Sequence, residues 1–275
     1  MTQERWIPPE IPLDKPNAAR IYDYLLGGYH NFEQDRTVAE QMVQIYPDLF
    51  LTAQVNRSFL RRAVTFLLGQ GIDQFLDIGS GIPTMGNVHE VVQAANSQAQ
   101  VVYVDVEPVA VAHGRTMLAG NERAVAIRAD VREPETILVH PEVERLLDFE
   151  RPVGLLMVAL LHYVVDDDVA YRAVSRLRQA MAPGSYMALA QTTPVTSAEE
   201  SEMQEEMIEA FRSASDTKPR TARQLAPLFG SWALVEPGLV LTPLWRPDGP
   251  DDVFVDEPER GFTLAGVARK RAGDD

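Results

Sequence analysis

The chain contains no cysteine. Disulfides, thiolate nucleophiles and cysteine-ligated zinc are therefore excluded, while the redox compartment stays undetermined. Long apolar runs are also missing, since no stretch approaches the ~20 residues of a membrane span. The N-terminus, MTQERWIPPEIPLDKP, has no apolar signal core. It reads as mature sequence, with the cytoplasm as the expected compartment. Positive charge is scarce: 25 Lys and Arg stand against 40 Asp and Glu, for a net charge of −15. Such a chain repels a phosphate backbone at long range, so no nucleic-acid partner is expected. No internal repeat or low-complexity tract is found. With 275 residues, 45% of them hydrophobic, the chain can form one large soluble domain or a domain with an appendage.

What is present is an alternation of strand and helix patterns from residue 72 onward. IDQFLDI (72–78) is a short apolar run closed by Gly. Helical spacing follows over 88–96, then a β-branched strand over 99–106 and a helix over 108–119. A strand over 124–130 precedes a helical stretch, 135–147, that Pro141 interrupts. The pattern continues with a strand over 153–161, an amphipathic helix over 167–184 stopped by Pro-Gly, and a strand over 185–193. Repeated β-α units with short connections predict a parallel sheet with helices on both faces. A helical insertion is expected over about 196–228, whose last part carries a capping box at Thr221 and Gln224. The segments 232–245 and 261–271 are expected as two closing strands. The first 70 residues differ in character, with helices expected at 17–28 and 55–71, each ending at Gly.

The phrase FLDIGSGIPT (75–84) raises the question of a ligand. A P-loop needs Lys and Ser/Thr after its last glycine, but Asn87 and Val88 follow Gly86. A dinucleotide fingerprint needs a third glycine, and Thr84 stands there. The pattern hydrophobic-Asp-hydrophobic-Gly-x-Gly, with an acid ending the next strand, resembles the class I S-adenosylmethionine-dependent methyltransferases. Asp77, Gly79, Ser80 and Gly81 supply its first part, and Asp105 in VVYVDVEP its second. Glycines let backbone approach a ligand without a Cβ clash. Asp77 can attract an ammonium, and Asp105 offers two oxygens to ribose hydroxyls. The reading without a ligand is a plain strand–turn–helix connection.

Four stretches narrow the resemblance: ARIYDYLLGGYHNFEQDR (19–36), NRSFLRRAV (56–64), FLDIGSGIPT (75–84) and PLFGSWALVEPGLV (227–240). From about Pro16 to the last strand, the chain resembles a bacterial S-adenosyl methyltransferase family long known as a domain of unknown function. This implies a Rossmann-like α/β fold: a seven-stranded, mostly parallel sheet with its last strand antiparallel, plus a helical N-terminal cover. It divides the chain into a cover or lid, residues 1–70, and a cofactor-binding domain, 71–275. It implies S-adenosylmethionine as cofactor and S-adenosylhomocysteine as product. The implied contacts are Asp77, Gly79, Ser80 and Gly81, then Asp105 and Val106, Asp130 and Val131 near the adenine, and Leu160. Tyr24 and Asn31 of the N-terminal phrase are expected to reach the cofactor as well. One departure is Pro83, where most class I enzymes have a third glycine; it has no N–H to donate. Thr84 is then a candidate cap for the next helix.

His162, in ALLHYVVDDD (159–168), falls at the carboxyl end of the fourth strand, where open α/β sheets bind ligands. It is either a general base for an acceptor or a packed histidine. The run Asp166–Asp168 suits a helix N-terminus better than a metal, and no metal site is assigned. Tyr29, His30 and Asn31 are expected in a flexible turn after the Gly27-Gly28 break. The N-terminal helix is read either as a lid, with Asn56 and Arg57 pointing into the same cleft, or as an edge helix. The expected activity is methyl transfer to a small-molecule acceptor. The rivals are a nicotinamide-dependent oxidoreductase and a non-catalytic cofactor-binding module. Acceptor identity and oligomeric state are not legible.

Overall fold

The computed structural model describes residues 15–83, 86–195 and 197–274. Three helices lead: α1 (Ala18–Leu25), α2 (Glu33–Ile45) and α3 (Leu49–Gly69). The alternating region follows with β1 (Gln74–Ile78), α4 (Val88–Ala95), β2 (Gln100–Asp105), α5 (Pro108–Met117) and β3 (Ala124–Arg128). It continues with α6 (Pro134–Leu138), α7 (Pro141–Leu146), β4 (Gly154–Val158), α8 (Asp167–Ala180) and β5 (Tyr186–Thr192). The C-terminal part holds α9 (Ala198–Phe211), α10 (Ala222–Leu225), β6 (Ala233–Leu234), β7 (Val240–Leu241) and β8 (Thr263–Arg269). Pro141 does divide its helical stretch, and Thr221 and Gln224 do form the capping box that opens α10.

One sheet runs in the order β3-β2-β1-β4-β5-β8-β6, with β7 also on β8. Strands β1 to β5 pair in parallel, and β8 runs antiparallel to β5. The expected mostly parallel sheet with an antiparallel last strand is therefore the fold. The stretch 232–245, expected as one strand, is instead split in two. Its halves β6 and β7 lie along the same edge of β8, opposite Ala268–Arg269 and Leu264–Ala265. Between them stands Glu236-Pro237-Gly238. Pro237 has no N–H for the ladder, and Gly238 turns with φ 91°. Two fragments thus share the seventh sheet position, giving eight strands.

Parity along each strand decides which face a residue serves. Leu76, Ile78, Val102, Val104, Leu155 and Met157 pack with α6, α7 and α8. Phe75, Val101, Tyr103 and Leu156 face α3 and α4. Asp77 follows Phe75 by two, which turns it toward the α3 side. Phe59, Ala63 and Leu67 of α3 are fully buried in that second layer. The later turns of α3 belong to the sheet's own packing layer, while its first turns, with Leu49 and Ala53, join α1, α2 and α9 in a third cluster around Ile21, Val38, Met42 and Phe211. Helix α2 was not expected, because its apolar stripe is narrow: only Val38, Ala39 and Met42 are buried apolar residues. Among the described residues no helix is long and apolar enough to cross a membrane.

Candidate functional site

A cleft of about 340 Å³ opens where β1, β2, β3 and β4 end. Gly79 and Gly81 hold the loop after β1 at φ 73° and 67°, in the left-handed region that glycine alone adopts freely. Gly79 also lies beneath Leu160, where a Cβ would come within 2.5 Å of Leu160 Cδ1. The N–H groups of Gly79 and Ser80 donate to the Val104 carbonyl at 2.8 and 3.2 Å. Gly81 N–H donates to Asp105 Oδ2 at 2.7 Å, and Glu107 N–H to Oδ1 at 2.9 Å. Asp105 therefore ties the turn after β1 to the turn after β2. Val106, Asp130, Val131 and Leu160 complete this wall of the cleft, so the strand-end residues expected from the sequence do come together.

The two buried carboxyls are electrostatically costly. Burial pushes Asp77 up to about 7, against the attraction of Arg57 and with the repulsion of Asp105. Burial likewise raises Asp105 to about 6, although the Glu107 and Gly81 N–H groups pull the other way. At Asp130 burial alone would raise the carboxyl. Arg132 outweighs it through side-chain and backbone hydrogen bonds, and holds Asp130 below the usual range. The folded chain holds the Asp77 and Asp105 protons more tightly than the unfolded chain does. The contribution of these two carboxyls to stability should therefore fall as pH rises from about 4 to about 7, while His113 and His162, pushed down by burial to about 4 and about 3, contribute in the opposite sense over the same range. Urea unfolding of the ligand-free wild type and of Asp77→Asn across this range checks the sign: the wild type should lose stability relative to the variant as pH rises, and a relative gain would contradict it.

Helices α1 and α3 supply the opposite wall. Asn17, Ala18, Ala19 and Tyr22 come from α1 and its cap, and Asn56, Arg57 and Leu60 from α3. Arg57 gives one guanidinium N–H to Asn87 Oδ1 at 3.2 Å, while its buried Nε finds no partner. Asn56 Nδ2 donates to the Tyr22 hydroxyl at 2.9 Å, and its Oδ1 is buried without a partner. Asn56 and Arg57 thus reach the cleft as expected, because the chain doubles back between α3 and β1. Thr84 lies outside the described residues; α4 opens at Asn87, whose N–H donates to Glu90 Oε2 at 2.8 Å.

Tyr24 and Asn31 correct the sequence reading, since neither lines the cleft. The Tyr24 hydroxyl reaches Glu40 at 3.2 Å, on the side of α1 turned away from it. Asn31 is consumed inside the turn that follows α1. Its Nδ2 donates to Asp23 Oδ2 at 2.8 Å, and its Oδ1 accepts from Arg36 at 3.0 Å. Asp23 Oδ2 also accepts the His30 N–H at 2.8 Å. The expected flexible turn is therefore a braced one. Arg20 and Asp23 are buried, and Arg20 pairs with the fully buried Asp35 at 2.8 Å. A Cβ on Gly28 would sit 2.1 Å from Asp23 Oδ1. Gly28→Ala should displace that carboxylate and lower stability by about 1–3 kcal/mol in urea unfolding.

Beside the cleft lies a second, apolar chamber of about 170 Å³, roofed by α1, α2 and α9. Tyr22, Asn56, Ala159 and Tyr163 border both spaces. His162 stands on the single 3-10 turn Leu161–Tyr163 after β4, as its position in sequence implied. It opens on the chamber and not on the cleft. Burial, with the neighbouring Arg220 charge, pushes its imidazole down to about 3, and its Nδ1 is buried without a partner. Such an imidazole is neutral and weakly basic, so it serves as a hydrogen-bonding group more readily than as a proton acceptor. Asp166 caps α8 through the Val169 N–H at 3.1 Å. Asp167 pairs with Lys218 and Arg220. Among the described residues no group of three or more His, Asp or Glu is placed to hold a metal ion.

The sequence profile of the family described as S-adenosyl methyltransferase matches residues 4–271. The chain belongs to this family. It is 43% identical to a candidate methyltransferase of Thermobifida fusca, with 97% of this chain and 99% of that one covered and a TM-score of 0.89. A DUF574-family protein of Streptomyces avermitilis is 34% identical, over 94% of this chain and all of that one, with a TM-score of 0.87. An O-methyltransferase family 2 protein of Planctomyces limnophilus shares the fold at 13% identity, with a TM-score of 0.50 over 86% of this chain and 66% of that one. No curated protein sequence matches. Membership makes S-adenosylmethionine the cofactor to test against the cleft. An orphaned Arg57 Nε beside Asp77, open backbone at Gly81 and two oxygens on Asp105 are a donor and acceptor set that fits it.

Proposed function

We propose that the protein is an S-adenosylmethionine-dependent methyltransferase acting on a small-molecule acceptor. The observation that carries this is the chamber opening beside the cofactor cleft, with Tyr22, Asn56, Ala159 and Tyr163 shared between them. A regulatory module that only bound the cofactor would need no such second space. A nicotinamide enzyme is disfavoured by the broken dinucleotide fingerprint and by the family. In this reading Asp105 holds the ribose, Asp77 and Arg57 the amino-acid end, and Asp130 with Val131 the adenine. Leu160 and Val106 close the cleft's apolar sides. Helices α1 and α2 with α9 act as the cover, and the rest of residues 71–275 with α3 as the body.

When bound, the cofactor supplies an electrophilic methyl whose sulfur keeps the C–S electron pair, while the acceptor forms the new bond and sheds its proton. The chain's own part is placement and exclusion of water. Asp77 and Asp105 must be ionised to serve a cation and two hydroxyls, and a neutral His162 can accept a hydrogen bond from the acceptor. A thermal-shift panel of S-adenosylmethionine, S-adenosylhomocysteine, NAD and ATP tests the assignment. At a hundredfold excess over Kd the first two should each stabilise by roughly 2.7 kcal/mol. A shift with NAD alone would defeat it.

A further inference from the structure

We propose that the chamber is the acceptor subsite and that it takes a neutral, single-ring phenol. The proposal rests on the reading of the adjoining cleft as the cofactor site. Size comes first. At about 170 Å³ the chamber compares with the apolar cavity of about 150 Å³ that holds one benzene ring. Its walls come next. Met42, Met207, Phe211 and Phe262 give it an apolar lining, and no Asp, Glu, Lys or Arg stands among its described lining residues. A carboxylate or ammonium group would lose its water there and meet no counter-charge.

The polar atoms then select within neutral molecules. Asn56 has its Nδ2 committed to the Tyr22 hydroxyl at 2.9 Å, so its buried Oδ1 is left to accept. His162 Nδ1 is likewise buried without a partner. The uncompensated Asn56 Oδ1 acceptor asks for an O–H donor on the ligand, and a hydroxyl, being both donor and acceptor, meets the unpaired His162 Nδ1 in either tautomer. Asn56 borders both the chamber and the cleft, so a hydroxyl held there lies at the boundary between them. The polar side chains bordering that position are Asn56, Tyr22, Tyr163 and a neutral His162, and burial holds both tyrosines protonated, so no strong base is at hand. An oxygen that releases its proton readily, as a phenol's does, suits the site better than an aliphatic alcohol.

Fluorine NMR of the full chain with para-fluorophenol, para-fluorobenzoate, para-fluorobenzylamine and fluorobenzene tests this, with and without S-adenosylhomocysteine. The phenol is expected to bind at least about tenfold more tightly than either charged probe. Asn56→Leu should bring it down to the level of fluorobenzene. Met207→Trp should fill the chamber and abolish phenol binding without changing the titration with S-adenosylhomocysteine. Ile208→Phe serves the same purpose if the tryptophan variant does not fold. Charged probes binding as well as the phenol, or phenol binding that survives the filled chamber, would overturn the proposal. If S-adenosylhomocysteine binds and the phenol does not, the phenol proposal alone falls. If the phenol binds in the chamber and S-adenosylhomocysteine does not bind, the cofactor reading falls and the subsite stands.

Discussion

Replacing Arg220 with methionine is expected to lower the stability of the fold by about 3–5 kcal/mol, measured by urea unfolding. The guanidinium is fully buried, and four partners share it. It gives one N–H to Asp167 Oδ1 at 2.8 Å, one each to the Leu161 and Val164 carbonyls at 2.7 and 2.6 Å, and a longer one to Gln191 at 3.3 Å. Its own backbone N–H donates to the Thr192 carbonyl at 3.0 Å, and Lys218 N–H donates to His162 O at 2.8 Å. The segment 218–220 thus clamps the turn that carries His162 and Tyr163. Methionine keeps much of the volume but takes the guanidinium donor from the Val164 carbonyl and leaves the Leu161 carbonyl with only the Val164 N–H at 3.1 Å. Arg220→Lys keeps the charge yet cannot span all four acceptors, so it should fall between. A loss below about 1 kcal/mol for the methionine variant would mean that solvent enters and satisfies the turn, because exposed pairs are worth no more than that. The same variant should loosen the wall of the chamber and weaken para-fluorophenol binding before it weakens cofactor binding.

Nothing in the sequence pointed to Arg220. DTKPRTARQ has the composition of a solvated connection, and only the fold brings it under the β4 exit. Local signals fared better where chemistry is local. The strand carrying Asp77, the two glycines and Asp105 could be read directly, because each needs only its own strand end and the parallel order of the sheet. The N-terminal phrase misled for the opposite reason. Tyr24 and Asn31 are polar groups in a distinctive motif, and a motif says that a residue matters without saying where it points. The structure spends Asn31, Asp23 and Gly28 on shaping one turn, and the face of α1 that meets the cleft carries Tyr22 instead. The chamber was illegible because its lining joins helices α1 to α3 to the β4 exit, the end of β5, α9, residues 217–219 and residues 262–263, which lie far apart in sequence.

Asp105→Ala is expected to weaken S-adenosylmethionine binding by about 2–4 kcal/mol, roughly 30- to 1000-fold in Kd. Each charge-assisted hydrogen bond to a ribose hydroxyl contributes about 1.5–3 kcal/mol, and water entering the gap returns part of it. The structure adds a second source of loss. Asp105 also accepts the Gly81 and Glu107 N–H groups, so alanine frees the glycine loop as well as the ribose site. Asp130→Ala should cost only about 1 kcal/mol, since that carboxylate is already paired with Arg132 and lies at the rim. The pH dependence separates the two more sharply. Asp105 stands at about 6 and Asp77 at about 7 in the ligand-free protein. A ligand that needs both ionised must expel their protons as pH falls, so affinity drops on the acid side and is flat on the alkaline side. Between about pH 8 and pH 5, Asp105 alone should account for about tenfold and Asp77 for about a hundredfold. Asp105→Ala removes the first share and trims the second, because the Asp105 repulsion that helps raise Asp77 goes with it, whereas Asp130→Ala leaves both. Isothermal titration of the wild type and the two variants at three pH values reads this directly. Equal small losses at Asp105 and Asp130, with no acid-side weakening in the wild type, would mean that β2 does not hold a ribose.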